Sequence, residues 1–195
     1  TKGVAMRRVV ITGMGIVSPI GNNVAEVDAN LRAGKSGVVA SEEMKEHGFR
    51  SQIAGTLKLD VADHVDKRTL RFMGPGAAYA HIAMGQAIAD AGLSEDDVVN
   101  PMTGLIAGSG GPSTSAMFAA HQIVLKTGAT KRIGPFAVPK TMSSTVSANL
   151  ATAYKIKGMN FSITSACSTS LHCIGMAAQQ IALGTQDIMF GGGGE

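Results

Sequence analysis

Residues 160–175, NFSITSACSTSLHCIG, join a strand-like run to a helix-like run at Cys167. Ahead of the cysteine, apolar residues alternate with hydroxyl-bearing and small residues, which is typical of a strand. Behind it, Leu171 and Ile174 begin an apolar series at helical spacing that continues through residue 181. The pattern predicts a strand-to-helix turn with Cys167 at, or just before, the first helical turn.

That position favours a reactive cysteine. Unpaired backbone N–H groups and the positive end of the helix dipole meet at a helix N-terminus, and both stabilise a thiolate. The same amides can bind the oxygen of an acyl group on the sulfur. Position alone leaves open the alternative that Cys167 is an inert, buried side chain. Cys173, within the apolar helix, is predicted to be a core residue.

A cysteine nucleophile normally needs a base within hydrogen-bond reach, and the chain offers none by sequence. His172 lies about 140° around the same helix from Cys167 and about 7.5 Å along it, so we do not expect it to serve as the base. Nothing in the sequence marks any of the remaining histidines as the partner: His47, His64, His81 and His121.

Composition narrows the class of protein. The chain has 195 residues, of which 45% are hydrophobic and 16% charged, with a net charge of +3. This is ample apolar material for one domain, and too little charge for a disordered or nucleic-acid-binding chain. Cys167 and Cys173 would lie about 9 Å apart along a helix, too far for a disulfide, which favours a reducing, cytoplasmic setting. Neither a membrane span nor a secretory signal is predicted.

Strand-like and helix-like segments alternate along the chain, which predicts an α/β fold with a largely parallel sheet. The opening run, RRVVITGMGIVSP, is predicted to be a strand buried on both faces. The other predicted strands are residues 103–111, 161–166 and 187–190. The predicted helices are residues 24–34, 66–91 with an interruption at Gly74-Pro75-Gly76, 114–126, 139–154 and 168–183.

Several of these segments resemble the β-ketoacyl-acyl-carrier-protein synthases, the condensing enzymes of fatty-acid synthesis. The resemblance rests on VVITGMGIVSPIGNN, GLIAGSGG, GPFAVPKTM, DIMFGGGGE and, around the cysteine, SACSTSLHCIG. RFM, QAIADAGLS and HCIG are most similar to synthase I of bacterial type II systems, with synthase II or a polyketide ketosynthase as the near alternative. The resemblance begins at Met6, and residues 1–5 are interpreted as a cloning remnant.

The resemblance implies a thiolase-like fold of two similar α/β halves, of which residues 6–195 resemble only the first. In this family the catalytic histidines and lysine belong to the second half, which would explain why no base is found for Cys167. It would also explain why DIMFGGGGE reads as a strand that ends in a glycine turn. We therefore expect the 195 residues alone to be inactive, with an apolar face left uncovered.

By resemblance, Cys167 accepts an acyl chain from acyl-carrier protein as a thioester. Condensation with malonyl-carrier protein then extends the chain by two carbons, and no cofactor is implied. Gly111 and Met142 match positions that line the acyl pocket of the family, although either could simply be a strand-end or core residue. Family members are homodimers whose strand before the cysteine lies near the two-fold axis, so a dimer is expected.

Two basic groups are candidates for docking the acidic carrier protein, which family members bind through basic residues in these regions. The alternative is a pair of ordinary solvated charged faces. The residues are Lys67, Arg68 and Arg71 in the first group and Lys126, Lys131 and Arg132 in the second.

Two other classes of function remain as alternatives. TGMGIVSPIG suggests a dinucleotide-binding turn, but Ser18 stands where the fingerprint requires glycine after Gly13 and Gly15. A redox-sensing protein would use Cys167 without acyl transfer. No metal-ligand spacing occurs, few aromatic residues accompany the basic ones, and Cys167 itself argues against a noncatalytic chain-length partner.

Overall fold

In the computed structural model, which describes residues 6–195, helices cover both faces of a parallel three-stranded sheet. The interpretation of residues 1–5 lies outside the described residues. The five strands are β1 (Val38–Ala40), β2 (Ile53–Gly55), β3 (Thr103–Gly108), β4 (Asn160–Phe161) and β5 (Ile188–Gly193). The nine α-helices of the described residues are α1 (Val24–Arg32), α2 (Glu42–Glu46), α3 (Lys67–Leu70), α4 (Pro75–Asp90), α5 (Glu95–Val98), α6 (Thr114–Thr127), α7 (Ala137–Thr141), α8 (Thr145–Ala153) and α9 (Thr169–Leu183).

The central strand of the sheet is β3, which is buried over its whole length and pairs in parallel with β4 on one side and β5 on the other. Its side chains alternate between two apolar clusters. Leu105 and Ala107 pack with residues of α4 and α8, whereas Ile106 packs with Cys173 and Ala177 of α9. Burying a Leu or Ile side chain contributes about 1.5–3 kcal/mol, so β3 anchors both layers. The predicted α/β arrangement with a parallel sheet is confirmed.

Helix boundaries follow the local capping signals. The Asn23 side chain accepts a hydrogen bond from the Glu26 amide at the start of α1, and Gly34 adopts φ +63° just beyond the end of that helix. The helix predicted over residues 66–91 is interrupted, but at residues 71–74 rather than 74–76, because α4 begins at Pro75 after the extended residue Gly74 and includes Gly76.

The opening segment differs from its prediction. Residues 6–17 are extended but belong to none of the described strands, and Val10 and Ile11 are 57% and 79% exposed. Two of its amides donate instead to side chains of α4: Met14 to Asp90 Oδ2 at 2.9 Å and Ile16 to Gln86 Oε1 at 3.0 Å. The prediction of a doubly buried strand is therefore wrong for this structure, because no described strand pairs with the segment.

Two further predicted elements are shorter than expected. The helix predicted over residues 139–154 is divided into α7 and α8, because Met142 takes the extended conformation with ψ 134°. The strand predicted over residues 161–166 pairs with β3 only at Asn160 and Phe161. The segment beyond Phe161 has left the ladder, although it still passes close to the end of β3.

Apolar side chains are exposed over part of the surface. Besides the opening segment, they include Leu171 and Ile174 on α9 and Val39 and Ile53 on the antiparallel hairpin of β1 and β2. Among residues 6–195, none of the helices combines the length and hydropathy needed to cross a bilayer.

Candidate active site

The carboxyl ends of the three parallel strands meet at one edge of the sheet, which is the usual ligand-binding edge of α/β folds. Residues 109–111 follow β3, residues 162–167 follow β4, and residues 194–195 follow β5. The Glu195 carboxylate accepts hydrogen bonds from the Ser109 hydroxyl, at 3.1 Å, and from the Gly110 amide. A Cβ added at Gly110 would lie 2.7 Å from the Ala166 carbonyl oxygen, so these loops pack tightly.

Cys167 stands on a sharp turn between β4 and α9. The residue before it, Ala166, has φ +49°, a left-handed backbone conformation that residues other than glycine rarely adopt. Such a residue costs about 1–3 kcal/mol and persists only where its surroundings hold it. Cys167 is exposed, whereas Thr169, the first residue of α9, is buried. The predicted position of the cysteine beside the first helical turn is thus confirmed, and Cys167 is not buried, as the alternative of a core side chain would require.

Ser165 precedes Ala166 and Cys167 in the chain. It is held by hydrogen bonds to residues at the start of α9. Its amide donates to Thr169 Oγ1 at 2.8 Å, and its carbonyl accepts from the Ser168 amide at 3.1 Å. Its hydroxyl lies 2.7 Å from His172 Nδ1. Within residues 6–195, none of the backbone hydrogen bonds at this turn has the Cys167 amide as its donor.

His172 therefore contacts Ser165 rather than the sulfur, in agreement with the expectation that it is not the base. Within the part of the chain that the structure describes, no histidine hydrogen-bonds to Cys167. The other cysteine, Cys173, is fully buried against Ile106, and burial raises the pKa of its thiol. Cys173 is a core residue, as predicted.

A cavity of about 480 Å³ opens beside this edge of the sheet, and both predicted acyl-pocket residues, Gly111 and Met142, line it. Cys167 is not among the lining residues. The cavity wall is joined to the segment before the cysteine by a hydrogen bond of 3.2 Å from Thr164 Oγ1 to Ser143 Oγ. Met142 lies at the helix break between α7 and α8, which the sequence did not predict.

All six predicted docking residues are exposed. The first group lies on α3 and at its end, where the Asp66 carboxylate caps the helix and hydrogen bonds from Thr69 lower the pKa of Asp66. In the second group, Lys126 lies in the last turn of α6, and Lys131 and Arg132 form a short 3₁₀ helix, Thr130–Arg132. None of the six takes part in an ion pair with another described residue.

The glycines of the partial dinucleotide fingerprint have another role. A Cβ added at Gly13 would overlap the Ala87 carbonyl oxygen, and one added at Gly15 would overlap the Ala83 carbonyl oxygen. These glycines thus let the extended opening segment lie directly on α4. Their close contact with the helix gives no support to a phosphate-binding loop. No group of three metal-ligating side chains occurs among residues 6–195.

Sequence reasoning missed two features of the site: the hydrogen bond between Ser165 and His172, and the contact of Glu195 with Ser109 and Gly110. Ser165 and His172 are seven residues apart and lie on either side of the strand-to-helix turn, and such a spacing predicts no contact. The second joins residues 85 or more positions apart, and only the sheet order brings them together.

Comparison with known proteins assigns the chain to a family. The pattern of the β-ketoacyl synthase N-terminal domain matches residues 6–195. The 3-oxoacyl-(acyl-carrier-protein) synthase 1 of Haemophilus influenzae is 54% identical over 97% of the chain, and that of Escherichia coli K12 is 52% identical over 97%. The synthase 2 of Vibrio cholerae is 36% identical over 97% of the chain. The chain spans about half the length of these relatives, 47%, 47% and 46% respectively.

Solved structures of ketosynthases are similar to the structure of this chain. A β-ketoacyl synthase from Burkholderia phymatum, 29% identical, superposes with a TM-score of 0.79 over 93% of this chain and 45% of its own. The ishigamide ketosynthase/chain length factor, 27% identical, gives a TM-score of 0.84 over 95% of this chain and 46% of its own.

Proposed function

Because the chain belongs to the β-ketoacyl synthase family through its N-terminal domain, we propose that it supplies the acyl-accepting half of a 3-oxoacyl-(acyl-carrier-protein) synthase. The observation that carries this proposal is the exposed Cys167, which directly follows the strained Ala166 and stands at the start of α9. A nucleophile presented on such a turn can be approached by a bulky thioester, while the Cys167 amide takes no part in the hydrogen bonds that the Ser168 and Thr169 amides make.

The proposed reaction has two stages. The Cys167 thiolate attacks the carbonyl carbon of an acyl thioester, whose oxygen gains negative charge beside the Cys167 amide. Collapse of this intermediate releases the carrier thiolate, which takes up a proton, and leaves the acyl group on the sulfur. Malonyl-carrier protein then loses CO₂, the carbanion attacks the Cys167 thioester, and the thiolate leaves, giving a 3-oxoacyl chain two carbons longer. The resemblance assigns assistance in the decarboxylation to histidines of the second half of the fold.

The cavity beside the site supports an acyl chain as the substrate. Gly111 and Met142 line it, and its volume of about 480 Å³ lies within the range of about 300–1,000 Å³ for small-molecule pockets. We propose these two residues as part of the acyl pocket. The 54% and 52% identities to synthases named synthase 1, against 36% to one named synthase 2, favour the type I activity.

We also propose acyl-carrier protein as the partner and the exposed basic groups on α3 and after α6 as its docking surface. Positive side chains that form no ion pair with another described residue favour association with an acidic partner. A homodimer is proposed as well. Within the described residues β4 is an edge strand with a partly exposed Phe161, and an uncovered edge is suited to pairing with a second copy. The proposed location is cytoplasmic.

The experiment is a condensation assay on the intact protein with acyl- and malonyl-carrier protein, analysed for a 3-oxoacyl product two carbons longer. We expect product from the native protein and none from Cys167→Ala, with Cys173→Ala as the matched control that retains activity. Absence of product together with tight nicotinamide binding would support the dinucleotide alternative. Absence of product together with ready conversion of Cys167 to a sulfenic acid would support the redox alternative.

A further inference from the structure

The turn that carries Cys167 is fastened to α9 at two places by side chains. Thr169 Oγ1, in the first turn of α9, accepts a hydrogen bond from the Ser165 amide at 2.8 Å. His172, one turn further on, meets the Ser165 hydroxyl through Nδ1 at 2.7 Å. Ser165 and α9 thus lie on opposite sides of Ala166 and Cys167 and are bonded directly across them.

This arrangement matters because Ala166 is strained. With φ +49°, its relaxed alternatives would rotate the chain and carry Cys167 away from the start of α9. A bond that spans the strained residue opposes this rotation. The contact to His172 is the one that a substitution can remove without touching the backbone hydrogen bonds of Ser165.

The geometry also limits what His172 can do directly. Its Nδ1 is occupied by the Ser165 hydroxyl, and its own amide donates to the Ser168 carbonyl at 3.0 Å, which fixes it in the helix. No hydrogen bond joins it to Cys167 among the described residues. The hydrogen bond through which His172 can act on the placement of the cysteine is therefore the one to Ser165.

We propose that His172 is a positioning residue, which holds Ser165 and thereby keeps the Cys167 sulfur at the N-terminal turn of α9. The inference rests on the proposed function in that it takes Cys167 as the nucleophile. It concerns how the sulfur is placed, which can be measured without an acyl substrate.

The test compares five variants of the intact protein: Ser165→Ala, His172→Leu, the double variant of these two, His172→Asn, and His47→Leu. Asparagine can place a polar atom where Nδ1 lies, so it is the conservative replacement. His47 is another exposed histidine whose Nδ1 lies 2.9 Å from a backbone oxygen, that of Glu43, which makes it the matched control. Circular dichroism and thermal unfolding establish that each variant is folded.

Two readouts are used. The first is alkylation of Cys167 by iodoacetamide as a function of pH, followed on the Cys167 peptide by mass spectrometry, which separates it from the buried Cys173. The second is the rate of Cys167 acylation by acyl-carrier protein, with kcat and KM determined separately. A sulfur moved away from the helix N-terminus loses the stabilisation of its thiolate, so its alkylation curve shifts to higher pH.

We expect Ser165→Ala and His172→Leu each to slow acylation by about tenfold, mainly in kcat, and to shift the alkylation curve to higher pH. The double variant should be no slower than either single variant, because both remove one and the same bond. His172→Asn should restore most of the native rate, and His47→Leu should leave it unchanged.

Additive losses in the double variant, or an unshifted alkylation curve in folded Ser165→Ala and His172→Leu, would overturn the proposal. Failure of the proposed function would look different. In that case the native protein would not be acylated at all, while the shift in the alkylation curve would still report on the contact between Ser165 and His172.

Discussion

The rings of Phe72 and Phe136 meet edge to face, with their centroids 5.1 Å apart. Phe72 follows directly after Arg71, and Phe136 lies four residues after Arg132, so this contact joins the segments that carry the two basic groups. A pair of this kind contributes about 0.5–1.5 kcal/mol beyond its burial. Two groups that lie some 60 residues apart in sequence therefore belong to connected parts of the surface.

Charge reversal in the first basic group should weaken the reaction with acyl-carrier protein. We expect Arg68→Glu to lower kcat/KM for acyl-carrier protein by about tenfold at low salt, and less at high salt, because the contact is a screened surface interaction. The rate with a small acyl thioester that lacks the carrier should stay the same. Arg50→Glu, an exposed charge reversal elsewhere, is the control. Equal losses with both substrates would contradict a docking role.

Substitution of Gly111 should change the accepted chain length. A Cβ at this position would meet nothing within 4 Å, and the residue lines the cavity, so a side chain can extend into the open space without strain. We expect Gly111→Phe to slow acylation by long acyl chains about tenfold while short chains react normally, with Gly111→Ala intermediate. The measurement is acylation rate against chain length. A uniform loss for all lengths would indicate that Gly111 is not part of the acyl pocket.

The close approach of Gly108 to the segment before the cysteine makes it intolerant of a side chain. A Cβ there would overlap the Ile163 carbonyl oxygen, whereas one at Gly192, on the neighbouring strand β5, would meet nothing within 4 Å. We expect Gly108→Ala to lower the free energy of unfolding by about 1–3 kcal/mol and to slow acylation, and Gly192→Ala to be tolerated. Denaturant unfolding measures the free energy of unfolding of each variant, and the acylation rate is determined separately. Equal stability of the two variants would contradict this packing.

Acid should destabilise the protein through His81. Burial lowers the pKa of His81 below its ordinary value of 6.5, against a smaller opposing effect of Asp66, and its Nδ1 has no hydrogen-bond partner among the described residues. As pH falls below 6.5 the unfolded chain takes up a proton that the folded state still excludes, so stability decreases. The His81 ring lies 4.8 Å from that of Tyr154, and a phenylalanine can keep this contact without titrating.

We therefore expect His81→Phe to flatten the decrease in melting temperature between neutral and mildly acidic pH. Tyr154 does not contribute there, since burial raises the pKa of Tyr154 to about 12 and its hydroxyl keeps donating to the His81 carbonyl at 2.8 Å. An unchanged pH dependence in His81→Phe would assign the acid sensitivity to other groups.

Much of the fold could be predicted because local signals agree with the tertiary structure. The run TGLIAG has no polar residue after Thr103, and the structure buries β3 on both faces. Local signals also fit the helix starts, since Asn23 caps α1 and the pair Gly74-Pro75 precedes and opens α4. The opening run has the same apolar character, but a strand also needs a partner, and periodicity does not reveal whether one is present.

The site was predictable in part for the same reason. The strand-to-helix change at Cys167 is visible in the alternation of residue types, and the structure places the cysteine there. The conformation of Ala166 is not visible, because alanine carries no signal for a positive φ, and neither is the contact between Ser165 and His172. Both depend on how β4 leaves the sheet and meets α9. Gly111 and Met142 came from the family resemblance, and the structure shows that both line one cavity.

The central claim is that Cys167 is the acyl acceptor. The most direct measurement is mass spectrometry of the peptides of the intact protein after incubation with acyl-carrier protein carrying a medium-length acyl chain, without malonyl-carrier protein. The account predicts an increase equal to one acyl group on the peptide that contains Cys167, and no such increase in Cys167→Ala. An acyl group found on another residue, or no acyl group on the folded native protein, would contradict it.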